Sequence, residues 1–197
     1  MRNYTRFIFI PLLLCISFLA NAENTYSKVY IFGDSLSDTG NLASVIGPFP
    51  APYYQNRVSN GPLAVDILTA KLATNADASL HLLGLNNGKN YAVAGAKASG
   101  NEPIDLNTQI LSFQANHGFI APSDALYVIL IGGNDIRSAL YETDLTTADS
   151  IINSAGNKVQ DAVKSLNLIG AQSFLIINVP NIALIPETHF IPIVITV

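Results

Sequence analysis

The most informative pattern in the sequence is a series of short apolar runs, each followed by a turn. Continuous apolar runs at 29–32, 125–131 and 173–178 predict three strands. Continuous rather than alternating apolarity is typical of strands buried on both faces, as in a parallel sheet covered by helices. A fourth run at 90–98 predicts a brief strand that passes into small residues, where the backbone can approach a neighbour closely.

Apolar residues at helical spacing predict helices between these strands. One is expected to open at 59–62, where Ser or Asn caps the helix and Pro62 lies in its first turn, with Leu63, Ile67, Leu68 and Leu72 on its buried face. Others are expected over 107–117 and about 147–169. Alternating strands and helices with short connections predict one α/β domain with a parallel sheet.

The first 22 residues have the pattern of a secretory signal peptide. Arg2 and Arg6 precede a nearly continuous apolar run, and a small-x-small motif ends at Ala22. We therefore expect cleavage after Ala22, a mature domain over 23–197, a secreted or periplasmic location, and no stable membrane span after cleavage. An uncleaved anchor is the alternative, although the apolar run is short for a span.

Composition excludes several kinds of site. The only cysteine is Cys15, inside the predicted signal peptide, so the mature chain has no thiolate nucleophile, thiolate metal ligand or disulfide. The formal net charge is −4 and no cluster of basic residues is present, so we expect no nucleic-acid partner.

Three turns follow strands or near-strands, and each carries a group suited to acyl transfer. They contain Ser35, Gly95 and Asn134. The carboxyl ends of parallel strands meet at one edge of a sheet, so a hydroxyl, a backbone N–H and a side-chain amide can converge there. Acyl transfer needs such a nucleophile with donors aimed at the developing oxyanion. Taken alone, Gly95 could equally permit close packing and Asn134 could cap a turn.

Four motifs in order resemble those of the GDSL lipases and esterases, also called SGNH hydrolases. They are GDSLSDTGN at 33–41, RVSNGP at 57–62, NYAVAGA at 90–96 and GGND at 132–135. The resemblance implies a flavodoxin-like three-layer sandwich with a parallel sheet, and no metal or organic cofactor. It further implies that Ser35 is the nucleophile, and that its own N–H, the Gly95 N–H and the Asn134 side chain form the oxyanion hole. Asp34 and Asp38 are expected to brace the turn through backbone hydrogen bonds.

The base that the family supplies in a late Asp-x-x-His motif has no counterpart in this sequence. Of the three histidines, His81 is expected at the surface, and His117 at a helix C-terminus, where a cation is favourable. His189 follows Pro180 on the Ser35 side of the sheet but has no aspartate three residues before it. We therefore interpret the sequence as the N-terminal part of a GDSL esterase, with the last strand and closing helix missing and an apolar segment at 190–197.

Three hypotheses remain open at this point. The first is an exported serine esterase or lipase acting through an acyl-enzyme on Ser35, with lipid acyl groups or acetyl groups of polysaccharides as substrates. The second is a catalytically impaired protein that keeps ligand binding. The third is a chain too incomplete to fold stably.

Overall fold

A parallel sheet lies at the centre of the molecule. The computed structural model describes residues 26–187, and its strands are β1 (Lys28–Gly33), β2 (Ala125–Leu130) and β3 (Ser173–Ile176), in the order β1-β2-β3. Ile31 lies opposite Val128, which in turn lies opposite Leu175. All three predicted strands are therefore confirmed, each within two residues at either end. Burial on both faces holds for β1 and β2 but is wrong for β3, where Leu175 and Ile176 are exposed.

The predicted strand at 90–98 is wrong as a regular strand. Only its first part, with Lys89 before it, runs along the outer side of β1. There the Ile31 N–H donates to the Lys89 carbonyl at 3.1 Å and the Tyr91 N–H donates to the Ile31 carbonyl at 2.7 Å. The last bond of this pairing runs from the Val93 N–H to the Gly33 carbonyl, and the next N–H, of Ala94, donates to the Asp38 carboxylate.

Helices cover both faces of the sheet. They are α1 (Asn41–Ile46), α2 (Ala64–Lys71), α3 (Leu106–Asn116), α4 (Gly133–Leu140) and α5 (Leu145–Leu168). On one face, Tyr30 and Phe32 of β1 join a buried cluster with residues of α3 and α5. On the other, Val29 and Ile31 pack with residues of α2 and the loop after it. The α/β class and its layered arrangement are confirmed.

The start of α2 lies later than the sequence predicts. The helix is capped at Leu63, whose N–H donates to the Asp66 carboxylate at 2.8 Å, so the segment 59–62 precedes the helix. The buried face also differs, because Val65 is buried while Ile67 is 53% exposed. Asp66 in the first turn therefore sets the cap at Leu63, whereas the Ser-Asn-Gly-Pro segment predicts a cap at its Ser or Asn.

Two helices, α1 and α4, are absent from the sequence-based prediction because they are too short for a periodic pattern to emerge. The second matters for the site, since α4 starts directly after β2 and places Asn134 in its first turn. Within residues 26–187, no helix is long and apolar enough to cross a bilayer. The predicted signal peptide at 1–22, His189 and the apolar segment at 190–197 lie outside the described residues.

Candidate active site

The turn that carries Ser35 begins immediately after β1. Backbone hydrogen bonds of 3.0 Å from Ser37 and Asp38 to the Asp34 carbonyl close the turn. The Leu36 N–H donates to Asp34 Oδ1, also at 3.0 Å. Ser35 is held half-buried at the carboxyl edge of the sheet, where the sequence places it.

Asp38 braces this turn and joins it to the next one. Its buried carboxylate accepts four backbone N–H groups at 2.7 to 3.1 Å, from Gly40, Asn41, Leu42 and Ala94. The last of these donors belongs to the segment that carries Gly95. The prediction that Asp38 acts through backbone hydrogen bonds is confirmed.

The Gly95 turn (93–96) has a conformation that requires glycine. The Ala96 N–H donates to the Val93 carbonyl at 3.1 Å, and Gly95 between them has φ +90°. This is the positive φ that the third residue of a type II turn adopts and that side-chain-bearing residues avoid. The Val93 N–H donates to the Gly33 carbonyl at 3.1 Å, which fixes the turn against the end of β1.

Asn134 links α4 to the Gly95 turn. Its Nδ2 donates to the Ala96 carbonyl at 2.8 Å. The neighbouring Asp135 is fully buried and accepts the Ala98 and Ser99 N–H groups at 2.8 and 2.9 Å. The three turns singled out from the sequence therefore form one hydrogen-bonded unit.

Ser35 and Asn134 line a common cavity of about 340 Å³. It lies between the carboxyl ends of β1 and β2. The segment at 89–93 pairs with one side of β1 and β2 pairs with the other, so the order of the sheet reverses at this point. Open α/β sheets bind ligands where the strand order reverses. Its walls are mainly apolar, from Leu36, Leu130, Val179, Pro180, Ile182 and Ile185. Gly95 does not line this cavity. Its turn is connected to the cavity wall by the hydrogen bond from Asn134 to the Ala96 carbonyl.

One positively charged side chain, that of Arg137, lines the cavity. The Arg137 side chain is half-exposed. Its Nε and Nη2 donate to Glu187 Oε1 at 2.9 and 2.8 Å, and the Tyr141 hydroxyl also donates to this oxygen. The segment after Pro180 is thereby connected to α4.

Asp34 is a buried carboxyl group beside Ser35. Burial raises its pKa from the ordinary 3.8 to about 6, and the nearby Asp135 contributes in the same direction. Backbone donors at Leu36 and Gly133 oppose this rise, because they favour the carboxylate. Among residues 26–187, no three His, Cys, Asp or Glu side chains are grouped so as to hold a metal ion.

The two histidines within the described residues lie away from the cavity. The surface position predicted for His81 is wrong, whereas His117 lies at the C-terminal end of α3 as predicted. His81 is half-buried rather than at the surface; its Nδ1 lies 2.8 Å from Ser79 Oγ, and burial lowers its pKa to about 4. The His117 ring lies 2.9 Å from the Phe113 carbonyl and 3.0 Å from the Tyr30 hydroxyl. Burial lowers the pKa of His117, which disfavours the cation that a helix C-terminus would otherwise favour.

Two buried amides that hold the site together were missed from the sequence. Asn41 Nδ2 donates to the Asn90 and Ala92 carbonyls, both at 2.8 Å. Gln109 contacts both backbone groups of Gly33. A usable signal existed for Gln109, because it falls within the apolar face of α3 formed by Leu106, Ile110 and Phe113, where a polar side chain needs a buried partner.

The RVSNGP segment is anchored beside the Ser35 turn. Arg57 pairs with Asp66 through two bonds of 2.7 and 3.1 Å, and its Nη1 lies 3.4 Å from the Thr39 carbonyl. This partly buried pair connects α2 to the loop that leads into α1. It supports the turn without lining the cavity.

Comparison with known proteins gives consistent matches over most of the chain. A model of the GDSL-like Lipase/Acylhydrolase family matches residues 29–194. Lipase 1 of Photorhabdus luminescens is 30% identical over 92% of this chain and 26% of its own length. A phosphatidylcholine-sterol acyltransferase of Aeromonas hydrophila is 28% identical over 86% of the chain and 49% of its length. GDSL esterase/lipase ACHE of Zea mays is 29% identical over 85% and 52%.

These matches cover most of this chain but a smaller part of each relative. The chain spans about half or less of the length of these relatives. The family match, by contrast, covers β1, β2 and β3 together with all three turns at the cavity. On that ground, the chain belongs to the GDSL-like lipase/acylhydrolase family.

Proposed function

We propose that this chain is a serine esterase or lipase that cleaves carboxylic esters through an acyl-enzyme on Ser35. The observation that carries the proposal is that Ser35 and Asn134 line one cavity at the carboxyl ends of β1 and β2. Family membership and the names of the relatives, which include lipases and esterases, support the same class of reaction.

In the proposed reaction, Ser35 Oγ attacks the ester carbonyl carbon, and the carbonyl oxygen becomes an oxyanion. The Ser35 and Gly95 N–H groups and the Asn134 amide are the proposed donors to that oxygen. One N–H of Asn134 already donates to the Ala96 carbonyl, so the second N–H of the amide is the one offered to the substrate. Collapse of the intermediate breaks the bond to the alcohol oxygen, and the alcohol leaves with the proton that Ser35 Oγ gave up. Water then adds to the acyl carbon, the bond to Ser35 Oγ breaks, the acid is released and Ser35 Oγ regains a proton.

The cavity favours an acyl chain over an acetyl group on a polysaccharide. Leu36, Ile182 and Ile185 present apolar surface next to Ser35, and each buried methylene of a substrate contributes about 0.8 kcal/mol. The proposed substrates are therefore esters of medium or long acyl chains, such as lipids. In a series of p-nitrophenyl acetate, butyrate and octanoate, kcat/KM is expected to rise with chain length; a maximum at acetate would contradict this choice.

Export of the chain is a further part of the proposal. It is supported by the signal-peptide pattern of residues 1–22. The N-terminal sequence of the exported protein is expected to begin at Glu23, and recovery of the intact N-terminus from the cell would contradict it.

A second candidate function is acyl-ligand binding without turnover. It is favoured by one observation: neither of the histidines within residues 26–187 lines the cavity, and a serine hydroxyl needs a base to become a strong nucleophile. His189 is outside the described residues. The two candidates differ in one result. An esterase releases nitrophenolate from a p-nitrophenyl ester, whereas a binding protein retains the intact ester and releases none.

The deciding experiment is hydrolysis of p-nitrophenyl butyrate by the chain and two serine variants. Ser35→Ala is expected to abolish hydrolysis. Ser37→Ala is the matched control, since Ser37 is in the same turn but its hydroxyl is buried and has no hydrogen-bond partner among the described residues. Equal rates for the chain and Ser35→Ala would overturn the proposed function.

A further inference from the structure

The side-chain amide of Gln109 holds both backbone groups of Gly33, two residues before Ser35. Gln109 lies on α3 and is fully buried. Its Oε1 accepts the Gly33 N–H at 2.9 Å, and its Nε2 donates to the Gly33 carbonyl at 2.8 Å. One side chain thus fixes the peptide groups on either side of the last residue of β1.

This contact replaces a missing bond in the sheet. In a regular parallel ladder, alternate residues of a strand donate and accept along the same edge. Ile31 does so with Lys89 and Tyr91, and the Gly33 carbonyl accepts from Val93. The regular partner of the Gly33 N–H would be the Tyr91 carbonyl, but this N–H donates to Gln109 instead. The Gln109 amide therefore lies at the point where the segment at 89–93 leaves β1 and turns toward Gly95.

The same amide also contacts the loop that packs beside Gly95. Gln109 Nε2 donates to the Ile104 carbonyl at 2.7 Å. The Ile104 side chain lies next to Gly95, with its Cδ1 3.5 Å from the position a Cβ would take there. Gln109 is therefore bonded to the end of the strand that leads to Ser35 and to the residue that supports the Gly95 turn.

We propose that Gln109 is a positioning residue whose amide fixes the spacing between the Ser35 turn and the Gly95 turn. This inference rests on the proposed function, in which Ser35 attacks while Gly95 donates to the oxyanion. A nucleophile and an oxyanion donor on separate loops must keep their spacing within a fraction of an ångström. Gln109 touches neither the cavity nor the substrate and acts only through the backbone.

The test replaces the amide by an apolar side chain of similar size. Gln109→Met is expected to lower kcat for p-nitrophenyl butyrate about 10²-fold with KM changed less than about threefold, as for a loss confined to the transition state. Gln114→Met is the matched control. Gln114 is a second buried amide on α3, but it donates to Ser165 Oγ on α5 at 2.8 Å, away from the turns. It is expected to leave both constants unchanged.

A spectroscopic measurement separates this inference from the proposed function. The backbone ¹H–¹⁵N signals of Ser35 and Gly95 are expected to move together in Gln109→Met and to stay in place in Gln114→Met. Unmoved signals at both positions would overturn the positioning role, whatever the activity. If the signals move but the unsubstituted chain hydrolyses no ester, the spacing role stands and the proposed function fails.

A second variant covers the case in which Gln109→Met does not fold. Gln109→Glu keeps an acceptor for the Gly33 N–H but, when ionised, loses both donated bonds. It is expected to move the Gly95 signal, because the bond to Ile104 is lost. A Gly95 signal identical to that of the unsubstituted chain would contradict the inference.

Discussion

The burial of Asp34 makes a specific prediction about how stability depends on pH. Replacing Asp34 by Asn removes the charge and keeps the size of the side chain. The quantity of interest is the difference in unfolding free energy between the Asp34→Asn variant and the unsubstituted chain, followed across pH. Constant effects of the substitution, such as an altered hydrogen bond to the Leu36 N–H, do not change with pH and therefore cancel from the slope.

The magnitude follows from the pKa of the folded and unfolded states. Well below pH 3.8 the carboxyl group is protonated in both states and has no effect on stability. As pH rises, the unfolded chain ionises first, so the folded state loses relative stability until the pH passes about 6, where Asp34 also ionises in the folded state. The gap of about two pH units corresponds to about 3 kcal/mol. The stabilising effect of Asp34→Asn is therefore expected to grow by about 3 kcal/mol from low to neutral pH.

Urea unfolding at several pH values between about 3.5 and 7.5 measures this difference. Asp144→Asn is the control with the opposite sign: hydrogen bonds from the Thr147 hydroxyl and the Thr146 and Thr147 N–H groups lower the pKa of Asp144. Its contribution is present above the unfolded pKa and is lost as pH falls. A flat or falling profile for Asp34→Asn would refute the argument, since it would mean that the donors at Leu36 and Gly133 outweigh burial.

Two further substitutions test the geometry around the site. Gly33→Ala is expected to destabilise the chain by about 1–3 kcal/mol in urea unfolding, because the added Cβ would overlap the Leu130 carbonyl of β2; unchanged stability would show that β1 and β2 can separate there without cost. Asn134→Ala is expected to lower kcat for p-nitrophenyl butyrate ~10²–10³-fold through loss of an oxyanion donor. An unchanged kcat would remove Asn134 from the oxyanion hole.

The sequence predicted the strands well because each is a continuous apolar run of the right length. Every residue of β2 is buried, and periodicity is not needed to recognise such a strand. It also predicted that the turns after β1 and β2 meet, since that follows from parallel strand direction alone. The confirmed proximity of Ser35 and Asn134 thus depends on topology more than on local detail.

The remaining features of the site depend on contacts between residues distant in sequence. Gln109 and Gly33 are 76 positions apart, and Asn41 and Ala92 are 51 apart. No local pattern pairs them, although a polar residue within an apolar helical face indicates that some partner exists. The surroundings of His81 were missed for the same reason, because its burial comes from tertiary packing.

The measurement that tests the central claim most directly is covalent labelling of the chain by a fluorophosphonate, followed by intact-mass and peptide mass spectrometry. Attack by Ser35 forms an oxygen–phosphorus bond and releases fluoride. The account predicts one adduct on the peptide that contains Ser35, present in the Ser37→Ala variant and absent in Ser35→Ala. An adduct on another residue, or equal labelling of the Ser35→Ala variant, would contradict the assignment of Ser35 as the nucleophile.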